Sequence, residues 1–288
     1  MTANVLNSQV TDSELARYAK LVYDRTGIRL SPQKKTLLSN RVRRRLKATG
    51  IPDFECYLNH LRKLSADAPE WDAFLQEITT HETYLFRDEG QWDWFSNQYL
   101  AELANPARKS RIKTLRIWSA ACSTGDEAHT IATCIAEHLS DHAQWNIQIL
   151  ATDIGIGALK QAREAVFSPR AMKLVPEVCR RRYFEPVAGT DQWKAKPVLS
   201  RWIRFRQHNL LEPLNEAPLD LIFLKNVLIY FDEESKKRAI GHIRNVLKPG
   251  GMLIASAAEG ITNYMKDWER VAAWNHRKPG ANPSQPST

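Results

Sequence analysis

The chain has 288 residues, 43% hydrophobic and 25% charged, and carries a net charge of +9. That composition is ordinary for a globular protein with room for one large or two modest domains, and no apolar run is long enough to span a bilayer. The basic balance favours an acidic partner (nucleic acid, anionic lipid or an acidic protein surface) without choosing among them.

The opening residues, Met1-Thr-Ala-Asn-Val-Leu-Asn-Ser-Gln9, show neither a basic start nor an apolar stretch, so no signal peptide is expected. Four apolar stripes at helical spacing follow: Leu15, Tyr18, Val22; Leu38, Val42, Leu46; Phe54, Tyr57, Leu58, Leu61; and Trp71, Phe74, Leu75, Ile78. Gly27, Gly50-Ile-Pro52 and Ala68-Pro69 separate them, which predicts a small helical bundle over 1–80. Lys34, Lys35, Arg41, Arg43, Arg44, Arg45 and Lys47 fill most of the second helix outside its stripe. Such a helix is either a solvated face or a docking surface for an acidic helix or nucleic acid.

A polar loop over 105–111 leads into strand–helix alternation. Strands are expected over 115–121, 146–152, 220–226 and 252–257, with helices from Asp126, over 156–165 and over 233–247. This order predicts an α/β fold with a mostly parallel sheet covered on both faces. Residues 182–187 and 193–207 read as a small antiparallel insertion around a turn at Gly189-Thr-Asp191. The α/β unit is expected over 81–275, with a disordered tail over 276–288. The cysteines Cys56, Cys122, Cys134 and Cys179 are scattered, show no metal-ligand spacing, and read as reduced thiols.

The most informative stretch is Ser119-Ala-Ala-Cys-Ser-Thr-Gly-Asp-Glu127, between the first two strands. Ala120, Ala121, Ser123 and Gly125 let backbone approach a ligand closely, and Ser123 precedes Asp126 at capping-box-like spacing. Asp153, ending the second strand, can accept hydrogen bonds from both hydroxyls of a ribose at the strand ends. The turn lacks the Gly-x-Gly-x-x-Gly pattern of a pyrophosphate cradle. An adenosine ligand without phosphates fits better, S-adenosylmethionine being the common one. The alternative is an ordinary βαβ unit with an acid at a strand end.

Several blocks together resemble the chemotaxis receptor glutamate methyltransferases (CheR type). Thr79-Thr-His-Glu-Thr-Tyr-Leu-Phe-Arg87 is similar to that family's Thr-Thr-Asn-x-Thr-x-Phe-Phe-Arg segment. The 119–127 loop, Ala151-Thr-Asp-Ile154, Arg206-Gln-His-Asn-Leu-Leu211, Asn226-Val-Leu-Ile-Tyr-Phe-Asp232 and Lys248-Pro-Gly-Gly251 match further blocks in the family's order. The resemblance runs from the first helices to about residue 270. It implies a Rossmann-like S-adenosylmethionine-dependent methyltransferase sheet, an all-helical N-terminal domain and a small antiparallel β-subdomain. It also implies methyl transfer to glutamate side chains on the cytoplasmic helical domain of a methyl-accepting chemoreceptor, with S-adenosylhomocysteine as product. The enzyme would then be a cytoplasmic monomer that neither binds nucleic acid nor inserts into the membrane.

Carried over position by position, the resemblance places His81, Thr83, Arg87, Glu127, Asp153, Asn209, Leu210, Asn226 and Val227 at the cofactor, with Arg87 and Tyr230 near the reacting groups. Arg41, Arg44 and Arg45 are the candidate substrate-docking cations. Three positions depart from the pattern. His81 stands for Asn, Leu224-Lys225-Asn226 for Cys-Arg-Asn, and Ser256-Ala-Ala-Glu259 for Gly-His-Ser-Glu.

The chemistry asks for little acid–base work. A glutamate carboxylate is ionised at neutral pH and is itself the nucleophile; the protein must place it in line and exclude water. Arg87 can hold a carboxylate, and Tyr230 offers a hydroxyl and an aromatic wall to a positive centre. Each residue also has a plain structural reading: Arg87 as a surface partner of Asp88 or Glu89, Tyr230 as core, Glu127 as an acid at a helix start, Asp232 as a helix cap. A methyltransferase on another substrate such as RNA, and a non-catalytic cofactor- or receptor-binding module, are the competing functions. The short turn with Gly189 as its only glycine argues mildly against a docked receptor tail on the β-subdomain.

Overall fold

The computed structural model describes residues 8–65, 68–79, 82–105 and 113–280. The first unit is the expected helical bundle. Helix α1 (Asp12–Thr26) starts on a reciprocal capping box between Thr11 and Glu14 and stops at left-handed Gly27. Helix α2 (Lys35–Thr49) stops the same way at Gly50. Asp53 caps α3 (Phe54–Lys63), and Pro69 opens α4 (Pro69–Ile78), where its missing N–H costs nothing. Every residue of the four stripes is buried in one shared core. The large rings meet there: Phe74 lies edge-on to Trp71 and Tyr57, with centroids 5.6 and 5.9 Å away.

A helical connector follows. Helix α5 (Glu89–Trp94) passes through a π-turn at Phe95–Tyr99 into α6 (Leu100–Ala104). Residues 106–112, most of the expected polar loop, lie outside the described residues. Strand β1 (Thr114–Ala120), α7 (Asp126–His138), β2 (Asn146–Asp153) and α8 (Ile156–Glu164) form the first wound unit. After β3 (Val166–Phe167), α9 (Glu177–Tyr183), β4 (Phe184–Pro186), β5 (Trp193–Ala195) and α10 (Pro197–Ser200), the chain re-enters the main sheet as β6 (Ile203–Gln207). Strand β7 (Leu219–Leu224), α11 (Glu233–Val246) and β8 (Leu247–Ala255) complete the parallel core. A terminal hairpin, β9 (Glu269–Ala272) and β10 (Asn275–Arg277), closes the edge.

The main sheet runs β6-β2-β1-β7-β8-β10-β9, and its pairings are parallel from β6 to β8. Strand order reverses between β1 and β7, so a crevice opens beyond the carboxyl ends of β1, β2 and β7. Apolar side chains cover both faces, with one core around α5, α6 and α7 and another around α11.

Four expectations need correction. The antiparallel insertion is the three-stranded sheet β3-β5-β4, so it begins before 182. Residues 203–207 belong to the main sheet beside β2, because Pro197 and α10 break the 193–207 run in two. The 276 boundary falls inside β10, where His276 and Arg277 pair with β8, whereas 281–288 lie outside the described residues. Finally, Ser123 does not cap α7. Left-handed Gly125 occupies the cap position, and Asp126 instead accepts a hydrogen bond from Thr124 Oγ1 at 2.6 Å.

The two units meet across a polar seam. Tyr23 Oη donates to Asp232 Oδ2 at 2.7 Å, and Asn209 Nδ2 donates to the Arg25 carbonyl at 2.8 Å. The Arg29 N–H donates to the Tyr230 carbonyl at 2.8 Å beside a bridge between Ile28 and Phe231. Asp72 of α4 reaches the first turn of α8, accepting from the N–H groups of Ile156 and Gly157. Gly27 is needed at the seam: its φ is +71°, and a Cβ there would lie 2.7 Å from Leu211 Cδ1.

Beneath the first turn of α7, His129 is fully buried against Phe167 and Phe205, and Nδ1 donates to the Gly125 carbonyl at 2.9 Å. Burial drives its pKa down to about 4, against the carbonyl hydrogen bond, which raises it. The unfolded chain takes up that proton near pH ~6.5, so His129 costs stability as pH falls from there toward 4. Denaturant titrations of wild type and His129→Gln should therefore show the variant's deficit narrowing across that window. A constant deficit would mean that His129 titrates normally in the fold.

Candidate functional site

The crevice at the strand ends continues under the helical bundle as one cleft, with about 1390 Å³ of free space counting its open mouth. Its floor is the loop after β1. Ala121 and Ser123 adopt left-handed backbone, with φ of 62° and 50°. Asp153 anchors that loop. Its Oδ2 accepts from the Ser123 N–H at 2.8 Å, and its Oδ1 accepts from the Gly155 N–H at 2.9 Å. Its carbonyl takes the His208 N–H at 3.0 Å. The carboxylate lines the cleft, and each oxygen accepts one further hydrogen bond at most.

Glu127, in the first turn of α7, lines the cleft beside it. Ser119 Oγ donates to its Oε1 at 2.7 Å, and Lys225 Nζ stands 3.9 Å from Oε2. Burial pushes the carboxyl pKa up, and Lys225 and Ser119 pull it back. Opposite, the turn after β7 places Asn226 (φ 59°) and Val227 on the cleft wall. Glu259, itself fully buried, holds that turn by facing the N–H groups of 226–229, with Val227 N–H to Oε1 at 3.3 Å. Asn209 and Leu210 follow β6 into the same wall, where the Asn209 side chain is engaged with Arg25 and with the Leu211 N–H.

Thr83, Arg87 and Tyr230 complete the lining. Arg87 is half-buried. Its guanidinium donates to the Glu82 carbonyl at 3.1 Å and lies 5.7 Å from the Tyr84 ring. The expected alternative partner, Asp88, is taken by Lys225 at 3.1 Å. Tyr230 is half-buried with Lys34 Nζ 5.2 Å from its ring centroid, so that ring face already receives a cation. Asp232 is the cap of α11, accepting from the Ser235 N–H at 2.9 Å.

The docking cations divide. Arg41 turns into the cleft and donates to the Ile78 carbonyl, and burial lowers its pKa. Arg44 stays exposed and pairs with Glu77 at 2.6 Å. Arg45 is a structural partner of Glu70, at 2.6 Å, and Glu70 also accepts from Tyr57 Oη. His81 lies outside the described residues. Among the lining residues that sequence reasoning missed are Tyr84, Lys225 and His208. Among the described residues, His208 Nε2 is buried without a hydrogen-bond partner, and burial, then Arg206 and His242, drive the ring's pKa down to about 4. Its position inside the 206–211 block, next to Asn209, was the available signal.

The donor set fits an adenosine-type ligand carrying an amino acid. A carboxylate able to accept from vicinal hydroxyls, a second able to pair with an ammonium, a neutral imidazole and closely approaching backbone line one cleft. This lining suits a nucleoside cofactor better than a phosphate cradle. Residues 81–277 match the family described as CheR methyltransferase, SAM binding domain, and residues 13–79 match its all-alpha domain. The chain therefore belongs to the CheR methyltransferase family and is an S-adenosylmethionine-dependent methyltransferase. It is 33% identical to the chemotaxis protein methyltransferase of Borreliella burgdorferi over 95% of this chain and 96% of that one. It is 32% identical to that of Salmonella typhimurium over 90% and 88%, and to that of Escherichia coli over 88% and 86%.

Asp153→Ala should weaken S-adenosylhomocysteine binding by about 1.5–3 kcal/mol, the usual loss for hydrogen bonds to a charged group. Calorimetry measures this directly. Unchanged affinity would remove Asp153 from the cofactor site.

Proposed function

We propose that the protein methylates glutamate side chains on the cytoplasmic helical domain of membrane chemoreceptors, giving glutamate methyl esters, as an adaptation enzyme of chemotaxis-type signalling. The observation that carries this reading is convergence. Family-like blocks from residue 83 to residue 230 meet at one cleft, and Lys34 and Arg41, at and within α2, line it. The names of these relatives, each a chemotaxis protein methyltransferase, support the same pathway.

Asp153 holds the ribose and Glu127 the ammonium of the cofactor, with Thr83, Asn226, Val227, Asn209 and Leu210 closing around it. His81 is assigned to the same site by its motif position. When bound, S-adenosylmethionine supplies an electrophilic methyl group on its own leaving group. Arg87 orients a carboxylate, either the cofactor's or the acceptor's. It must not grip the attacking oxygen tightly, since that would lower its nucleophilicity. Tyr230 lines the reacting centre, its ring facing positive charge and its hydroxyl orienting the acceptor. The helical bundle roofs the cleft and excludes water, which strengthens each of these contacts.

Labelled cofactor with receptor fragments tests the reading. Base-labile label mapped to glutamates is the expected result; base-stable label or label in RNA would contradict it, as would product binding without transfer. Tyr230→Phe should keep the thermal transition near wild type and cut turnover about tenfold, or about 1.4 kcal/mol of transition-state stabilisation. Full activity in that variant would deny the hydroxyl a role.

The acceptor stalk is read as an acidic helix, docking on the α2 side of the cleft mouth. Arg41→Glu with Arg44→Glu should raise the Michaelis constant for receptor fragments several-fold and flatten its salt dependence, because such attraction is screened over about 10 Å at 0.1 M salt. Arg45 is spared in this test, since reversal would set a carboxylate against Glu70. Normal receptor kinetics at low salt would place docking elsewhere.

A further inference from the structure

Lys225 is the most deeply buried cation in the cleft wall, its side chain 4% exposed at the end of β7. Its ammonium has four neighbours among the described residues. It donates to the Arg87 carbonyl at 3.0 Å and pairs with Asp88 Oδ2 at 3.1 Å. It stands 3.9 Å from Glu127 Oε2 and 4.9 Å from the Trp92 ring centroid. Two of these contacts fall on one short segment, 86–88, that lies 138 residues earlier in the chain.

That segment is held in an unfavourable form. Phe86 and Asp88, on either side of Arg87, both have left-handed backbone, with φ of 58° and 66°. Residues with a Cβ avoid this region unless their surroundings fix them there. The surroundings here are specific. Thr130 Oγ1 accepts the Phe86 N–H at 3.0 Å, and Trp92 Nε1 donates to the same Arg87 carbonyl at 2.6 Å. Lys225 adds a charged grip, on a carbonyl and on a carboxylate at once.

We propose that Lys225 is a positioning residue for Arg87: its ammonium clamps the left-handed 86–88 turn and thereby aims the Arg87 side chain into the cofactor cleft. A second consequence follows from the same atom. Lys225 sits between the Asp88 and Glu127 carboxylates, so it offsets their mutual repulsion and favours the charged form of Glu127, the form that suits an ammonium ligand. Burial raises the Glu127 carboxyl pKa on balance, and Lys225 is the main influence opposing that rise.

The proposal rests on Arg87 belonging to the cofactor site, so its test reads product binding and needs no acceptor. Calorimetry with S-adenosylhomocysteine is run on wild type, Arg87→Ala, Lys225→Met and the double variant, each checked by thermal melting. Each single change should weaken binding about tenfold, and the double variant should bind within about threefold of the weaker single one. Lys225→Arg, which keeps a donor and a charge, should recover most of the lost affinity; a merely space-filling role would not distinguish it from methionine. Losses that multiply in the double variant, or wild-type affinity in Lys225→Met, would overturn the proposal. If the methionine variant does not fold, Lys225→Gln takes its place in the cycle, and multiplying losses or wild-type affinity there would overturn the proposal in the same way. Wild-type affinity in Arg87→Ala would remove Arg87 from the site and the proposal with it. A protein that binds product normally yet methylates no receptor would overturn the proposed substrate and leave the Lys225 result standing.

Discussion

One buried carboxylate ties the site together. Asp153 is 6% exposed, and its side chain and carbonyl accept three backbone N–H groups, from the loop after β1, the loop after β2 and the end of β6. The ends of β1, β2 and β6 are thereby fixed relative to one another, beside the reversal of strand order between β1 and β7. The α4 helix of the bundle reaches the same place, since Asp72 caps α8 just after Gly155. The cleft depends on this arrangement: the helical domain roofs a crevice whose floor is already set by the sheet.

The floor and walls store backbone strain. Among the described residues, Phe86, Asp88, Ala121, Ser123, Asn226 and Ala165 are non-glycine residues with positive φ, and all but Ala165 sit on or beside the cleft. Each such residue costs on the order of 1–3 kcal/mol and persists only where neighbours determine it. At three of them the neighbour is a buried ionisable side chain. Asp153 holds Ser123, Glu259 holds the turn at Asn226, and Lys225 holds Asp88. The core of the helical unit, by contrast, is built mainly from apolar and aromatic contacts.

How much was legible in the sequence follows from the range of each interaction. The four helical stripes were readable because period and burial agree: each marked residue is in the core. The main strands were readable as apolar runs bounded by turns, and Asp153 as an acid at a strand end. What was not readable depends on distant partners. Strand β3 is two residues long and exists only through its pairing with β5. Strand β6 carries arginines at 204 and 206, which suggests an exposed insertion, yet it is the edge of the main sheet and both arginines pair with Glu216. Arg45 looked like a docking cation because Glu70, 25 residues away, cannot be assigned to it from sequence. Lys225 registered only as a departure from a motif; its grip on Arg87 and Asp88 requires the fold.

The central claim is that this cleft, anchored on Asp153 and roofed by the helical domain, is where the cofactor sits. A crystal structure of the protein with S-adenosylhomocysteine tests it most directly. The account predicts both ribose hydroxyls within hydrogen-bond distance of Asp153, and the amino-acid end between Glu127 and Arg87. A product molecule bound outside the cleft, or bound within it with its ribose away from Asp153, would contradict the account.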